Sequence, residues 1–191
     1  MTAEREPWLP IQTERLRLRR VREADFEDIH AYASDPRVAR FMHWGPNSRE
    51  ETRAHLDKVL DERGATAGEE IGLAIEHLEE GRVIGSIALH PFDTANRTMA
   101  VGYCLHADFW GHGIALEAAR ALIDAAITAL DLHRIVATCD IENTGSFRVM
   151  EKLGMRREAC FRRDRLIKQR WRDTLLYAVL AGDWTGATPC Q

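Results

Sequence analysis

The spacing of hydrophobic positions changes several times along the chain, and each change marks an element. From Thr13 to Val21, in TERLRLRRV, Leu16 and Leu18 alternate with arginines, the period of a strand with one buried face. Asp25 then precedes Phe26, Ile29 and Tyr32 at helical spacing. Asp35-Pro36 breaks that helix before a second short one carrying Val38, Phe41 and Met42, and Gly45-Pro46 ends it. Ser48 followed by Glu51 predicts a capping box opening a helix with Leu56, Val59 and Leu60 on its apolar face; it should fade near Gly64, and Ala65 to Glu70 reads as a surface loop. Runs at Ile71 to Leu78, Arg82 to His90 and Arg97 to Leu105, separated by Glu79-Glu80-Gly81 and by Pro91 to Asn96, predict an antiparallel meander.

After Gly113 the pattern becomes Ala115, Ala118, Ala119, Leu122, Ile123, Ala126, Ile127 and Leu130, an unbroken helical series on one long helix. Arg134 to Thr138 is a short β-branched run, and Asn143 to Leu153 is a helix ended by Gly154, so strand, helix and strand alternate in βαβ fashion. Strands at Arg156 to Asp164 and Trp171 to Leu180 close the sheet and leave Gly182 to Gln191 as a frayed tail. The 191 residues, 45% hydrophobic and 29% charged, suit one domain spanning 1–191, with its core at about 13–184, and exclude intrinsic disorder.

Charge narrows the partners. The formal net charge of -4 argues against non-specific binding to nucleic acid. Arginines at 156, 157, 162, 163, 165, 170 and 172 form a basic cluster, read as a solvated hairpin or as a site for an acidic ligand. Cys104, Cys139, Cys160 and Cys190 show neither metal-ligand spacing nor a disulfide framework, so reduced thiols and no metal are expected. Met1 to Pro10 contains charges and two prolines and offers no apolar run of signal or membrane-spanning length, so the expectation is a cytoplasmic protein without membrane association.

The chemically informative segment is Phe109-Trp110-Gly111-His112-Gly113-Ile114-Ala115, between a strand and the long helix. Helix N-termini present unpaired amides and partial positive charge, and glycines allow positive φ and close approach of an anion. The segment lacks the ending of a P-loop and the third glycine of the dinucleotide fingerprint, which demotes nucleotide hydrolysis and NAD binding. On these residues alone, a tight strand-to-helix turn and an anion cradle stand level.

TERLRLR, FWGHGIALEA, LHRI, ENTGSFRVMEKLGM and WRDTLLYAVL occur in the order seen in GNAT acetyltransferases, and the chain resembles their RimJ/RimL-like, ribosomal-protein N-terminal acetyltransferase branch from about Thr13 to Trp184. The resemblance implies an α+β GNAT fold, a mixed, mostly antiparallel sheet of six to seven strands splayed at its centre and flanked by helices. It implies acetyl-CoA wedged at the split, its pyrophosphate on the glycine turn through Trp110, Gly111, His112, Gly113, Ile114 and Ala115, and its arm along Val101, Tyr103 and Cys104 and along Asn143, Ser146 and Lys152. His112 stands where the superfamily usually has lysine, and with a reference pKa near 6.5 it adds charge only when protonated; it reads equally as a solvent-facing histidine.

The implied activity is N-acetyl transfer to a primary amine, a protein N-terminus or a small molecule, by direct attack in a ternary complex, with a homodimer as an option. Backbone amides of Tyr103 or Cys104 are candidates to polarise the thioester carbonyl, and Ser146 to donate to the departing sulfur. The carboxylate this branch often carries is Ala100 here, and the usual tyrosine is Met150. Glu158 is the replacement candidate for the base, or an exposed strand carboxylate, and His43 and Trp44 are candidate acceptor contacts. Without a base, an α-amine of pKa near 8 is favoured over lysine near 10.4, because far more of it is neutral at pH 7. Alternatives are transfer of another acyl group such as succinyl, which the arginine cluster would favour, and a non-catalytic CoA-binding sensor.

Overall fold

The structure, a computed structural model, describes residues 6–61 and 70–186. The expected helix end near Gly64, most of the Ala65 to Glu70 loop, the last residues of the tail and Cys190 lie outside them. Eight strands form one sheet in the order β1-β2-β3-β4-β5-β6-β8-β7: β1 (Ile11–Gln12), β2 (Leu16–Arg19), β3 (Ile71–His77), β4 (Arg82–Asp93), β5 (Thr98–Leu105), β6 (Arg134–Asp140), β7 (Arg156–Ile167) and β8 (Arg170–Leu180). The eighth arises at the N-terminus, where Ile11–Gln12 pairs back on β2 ahead of the expected strand. Helices are α1 (Phe26–Ala33), α2 (Pro36–Ala39), α3 (Arg49–Asp61), α4 (Ile114–Ala129) and α5 (Thr144–Lys152). None is long and apolar enough to cross a membrane.

Alternation along the strands builds two cores. One face carries Leu16, Leu18, Ile75, Val101 and Ile135 against the inward stripe of α4, where Ala118, Ala119, Leu122 and Ile123 are fully buried. Burying a Leu or Ile side chain contributes about 1.5–3 kcal/mol, so this stripe holds α4 to the sheet. The other face carries Ala74, Val83 and Cys104 under α1 and α3. On that side Arg19 is buried with Asp25, through Nη1 and Nη2 at 2.8 and 2.9 Å, and with Glu76. The expected capping box is present: Ser48 N–H donates to Glu51 at 2.8 Å and Glu51 N–H to Ser48 Oγ at 3.2 Å.

Three expectations are corrected. β4 continues through Pro91 to Asp93, because β3 begins opposite Leu89 and leaves β4 an edge beyond it, where a missing N–H costs little. β7 follows α5 and runs parallel to β6, but β8 is inserted between them, antiparallel to both. The tail is docked as far as Gly186, not frayed: Trp184 Nε1 donates to Asp124 at 2.5 Å and Arg120 to the Gly186 carbonyl at 3.1 Å, both on α4.

Candidate active site

β5 and β6 run parallel and pair only from Thr98 opposite Arg134 to Ala100 opposite Val136. Beyond that point β5 stays paired with β4 to Leu105, and β6 with β8 to Asp140. The two strands therefore part, and backbone groups of Val101 to Leu105 on one wall and of 137–140 on the other are released from each other. The apex of this wedge is Ala100.

At its mouth lies the glycine turn. Gly111 and Gly113 hold φ of 81° and 76°, left-handed values that disfavour other residues. Trp110 is half exposed, and its Nε1 donates to the Leu105 carbonyl at 3.0 Å, pinning the turn to the end of β5. Gly113 is the N-cap of α4 and supplies no side-chain cap. By contrast Asp35 and Asn143 cap α2 and α5 with their own side chains. The first-turn amides of Ile114 and Ala115, which helix geometry leaves unpaired, thus open α4, the longest helix among the described residues, with no side-chain cap upon them.

Arg15, which sequence reasoning passed over, fastens this turn. Its Nη1 donates to the His112 carbonyl at 2.9 Å, and its guanidinium pairs with Glu117 in the first turn of α4 at 2.6 Å. Glu117 also accepts from the Arg15 amide at 3.1 Å and from Thr13 Oγ1 at 2.5 Å. Burial opposes ionisation of Glu117, yet these donors outweigh it and hold the carboxyl below its ordinary value. Glu117 thereby balances the charge of Arg15 beside the turn. The His112 side chain is exposed.

Inside the wedge, Tyr103 reaches from β5 to α5. Its hydroxyl donates to the Ser146 carbonyl at 3.1 Å and lies 3.3 Å from Ser146 Oγ. Burial pushes the phenol up to about 12, so it stays protonated. Cys139 on β6 joins the same group: burial pushes its thiol up to about 11, partly offset by a hydrogen bond with Ser146. Asn143 Oδ1 accepts from the Ser146 amide at 3.2 Å, so its side chain serves as the cap of α5. Lys152 lies exposed at the other end of that helix, where its carbonyl accepts from Arg120, and the structure does not bring it to Ser146. Val101 is buried in the core against α4, leaving only its backbone to face the wedge.

On the opposite face the placements differ from expectation. Trp44 packs with Met42 into the core under α1 and α3, while His43 is exposed. Phe41 instead carries the guanidiniums of Arg40 and Arg172 at 4.9 and 6.0 Å from its ring centre. Arg172 approaches the buried Asp140 carboxylate at 3.4 Å and Glu142 at 2.8 Å, and Glu142 also takes Arg170 at 2.7 Å. Asp140 Oδ2 and Arg172 Nε are buried without a hydrogen-bond partner. Glu158 is bound by both Nη atoms of Arg134, whose hydrogen bonds hold its carboxyl below the ordinary range. It lies in a small cavity of about 170 Å³ at the closed end of the wedge, so the structure does not bring it to Tyr103 and Ser146. Among the described residues no group of His, Cys, Asp and Glu side chains is placed to hold a metal ion.

Comparison with known proteins agrees with this geometry. Residues 15–156 match the acetyltransferase (GNAT) domain family. The chain is 32% identical over 174 residues to the N-acetyltransferase YnaD of Bacillus subtilis, covering 91% of this chain and 98% of the relative. A ribosomal-protein-serine acetyltransferase of Escherichia coli shares 30% over 100 residues, 52% of this chain and 56% of its own. The crystal structure of a GNAT-family acetyltransferase from Bacillus anthracis superposes with a TM-score of 0.80 at 34% identity, covering 90% of this chain and 98% of that one. With the splayed sheet, the eight-stranded α+β architecture and the match across most of its length, the chain belongs to the GNAT family of acetyltransferases.

Proposed function

We propose that the protein transfers the acetyl group of acetyl-CoA to a primary amine, an α-amine of a protein or a small-molecule amine, by direct attack within a ternary complex. The observation that carries this is the uncapped start of α4 at two left-handed glycines, opening on the wedge between β5 and β6. Amides of Gly111 to Ala115 suit the pyrophosphate of the donor, and the freed β5 backbone at Tyr103 and Cys104 suits its arm and thioester carbonyl. Ser146, in reach of Tyr103 and Cys139 from α5, is the donor to the departing sulfur.

Direct attack is favoured by the state of the two buried thiols beside the wedge. Burial pushes Cys139 up to about 11 and Cys104 up to about 12, so neither is a thiolate at neutral pH and neither suits an acetyl-enzyme intermediate. Of the arginine cluster that would favour a carboxylated acyl group, Arg170 and Arg172 are engaged by Glu142. The ribosomal-protein-serine activity named for the Escherichia coli relative makes an N-terminal α-amine a leading acceptor to test.

The test is a panel of peptides with free N-termini, polyamines and amino acids, read by CoA release and by the mass gain of one acetyl group. Acceptor-dependent release of CoA, with the acetyl mass found on the acceptor and none retained on the enzyme, supports the reading. CoA release independent of every acceptor, or acetyl trapped on a cysteine, refutes it.

A further inference from the structure

Ala100, at the apex of the wedge, carries no acid–base group, and the residue paired with it supplies one. Ala100 alternates with the buried Val101 and so faces away from α4, on the side of α1 and α3. Directly across the β4–β5 ladder is His90. Its imidazole leans along β5 beyond the apex residue Ala100: a side chain at Gly102, the next residue on that face, would meet His90 Nε2 at 3.4 Å. His90 Nδ1 lies 3.0 Å from Glu70, the residue immediately before β3. A carboxylate only accepts, so Nδ1 carries the proton and donates to Glu70, and the Nε2 lone pair faces Gly102. The imidazole is partly exposed, open to an incoming acceptor.

Resting on the acetyl-transfer reading above, we infer that His90 is the general base of the reaction and that Glu70 is its positioning residue. Nε2 takes a proton from the acceptor ammonium, giving imidazolium and a neutral amine. The amine lone pair forms the C–N bond at the thioester carbonyl, and the C–S bond breaks with its electron pair on sulfur. The second proton shed by the nitrogen reaches that sulfur through the Ser146 hydroxyl, and the imidazolium returns its proton to water. The products are the amide, CoA thiol and one proton released to solvent.

The surroundings suit this role. The hydrogen bond to Glu70 raises the His90 pKa above its ordinary value, against the opposing effect of burial. Glu70 is held ionised chiefly by His90, with Lys58 and His55 of α3 also acting on it. Farther along the same face are the Cys104 thiol, pushed up to about 12 by burial, and the Tyr32 hydroxyl of α1, also raised by burial. Both are neutral across the working range, so the charge acting on His90 is that of Glu70, on which Lys58 and His55 act in turn.

The experiment compares the full chain with His90→Ala, Glu70→Gln, and His90→Ala combined with Ala100→Glu. Two quantities are read: the acetyl-CoA dissociation constant by calorimetry, and kcat/KM for an α-amino peptide from pH 5.5 to 9. The expected wild-type profile rises through a pKa above the histidine reference of about 6.5. His90→Ala should leave acetyl-CoA affinity within about twofold, lower kcat/KM by roughly 10²-fold or more and remove that limb. Glu70→Gln should shift the limb to lower pH, and Ala100→Glu should restore much of the lost rate. A His90→Ala protein that keeps both limb and rate overturns the assignment, as does one whose deficit is lost acetyl-CoA binding. NMR titration of the imidazoles decides the matter independently of turnover. The His90 signal should titrate above 6.5, fall in Glu70→Gln and shift when acetyl-CoA is added; an unmoved signal overturns the role. Failure of the wild type to bind acetyl-CoA would instead defeat the acetyl-transfer reading itself.

Discussion

Gly113 and Gly154 hold nearly the same backbone, with φ of 76° and 77°, but stand at different places. Gly113 begins α4 at the wedge, and Gly154 follows α5 beside the cavity at the closed end. A methyl group at Gly113 would come no nearer than 3.7 Å to Arg15 Nη2, and one at Gly154 would meet nothing within 4 Å. Alanine at either position therefore carries the left-handed penalty alone, about 1–2 kcal/mol. For a domain of this size each kcal/mol shifts Tm by roughly 2–4 °C, so both variants should melt about 2–8 °C lower. On the acetyl-CoA reading only Gly113→Ala places that strain at the donor's phosphates, where relieving it by rotation of φ would turn an amide away. Loss of one charge-assisted hydrogen bond, about 1.5–3 kcal/mol, weakens acetyl-CoA at least tenfold. At a concentration of 100 times the wild-type dissociation constant the ligand stabilises wild type and Gly154→Ala by about 2.7 kcal/mol, but Gly113→Ala by about 1.4 kcal/mol or less. Thermal melts with and without acetyl-CoA read both effects. If Gly113→Ala keeps the full ligand-induced shift, or Gly154→Ala loses it, the glycine turn is not the phosphate site.

Ser146→Ala should leave acetyl-CoA affinity unchanged and lower kcat by roughly 10²-fold, the low end for a general acid, checked by calorimetry and steady-state rates. Glu117→Gln removes the charge paired with Arg15 and leaves one acceptor oxygen to serve both Thr13 and Arg15, and a cost of about 1–3 kcal/mol is expected near pH 7 in urea melts. Because the folded-state pKa is lowered, that stabilisation is complete above the unfolded value near 4.3 and disappears as pH falls through the folded one; the variant and wild type should converge in acid. Leu122→Ala, at a fully buried site on α4, should cost about 2–5 kcal/mol by the same melts.

What the sequence disclosed was local. The α4 stripe of Ala118, Ala119, Leu122 and Ile123, the Ser48–Glu51 box and the two glycines each express their physics within a turn or two of chain. The glycine turn before α4 and the start of α5 at Asn143 could be located because their motifs are contiguous. What stayed hidden depends on which distant segments meet. Arg15 and Glu117 are 102 residues apart, and nothing in TERLRLR tells a clamp from a solvated arginine. His90 became a candidate only when strand register set it opposite Ala100. Trp44, an acceptor candidate from the sequence, packs on the second core while Phe41 carries Arg172, because the way the chain leaves α2 decides which aromatic faces that arginine. Glu158 was misplaced for a like reason: its position depends on β8 being inserted beside β6, which no local pattern encodes.

The most direct measurement is a crystal structure of the protein with acetyl-CoA. Pyrophosphate oxygens within about 3 Å of amide nitrogens in the segment Gly111 to Ala115, with the arm entering between β5 and β6, is the predicted result. Phosphates bound elsewhere, with those amides turned to water or to other parts of the chain, would contradict it.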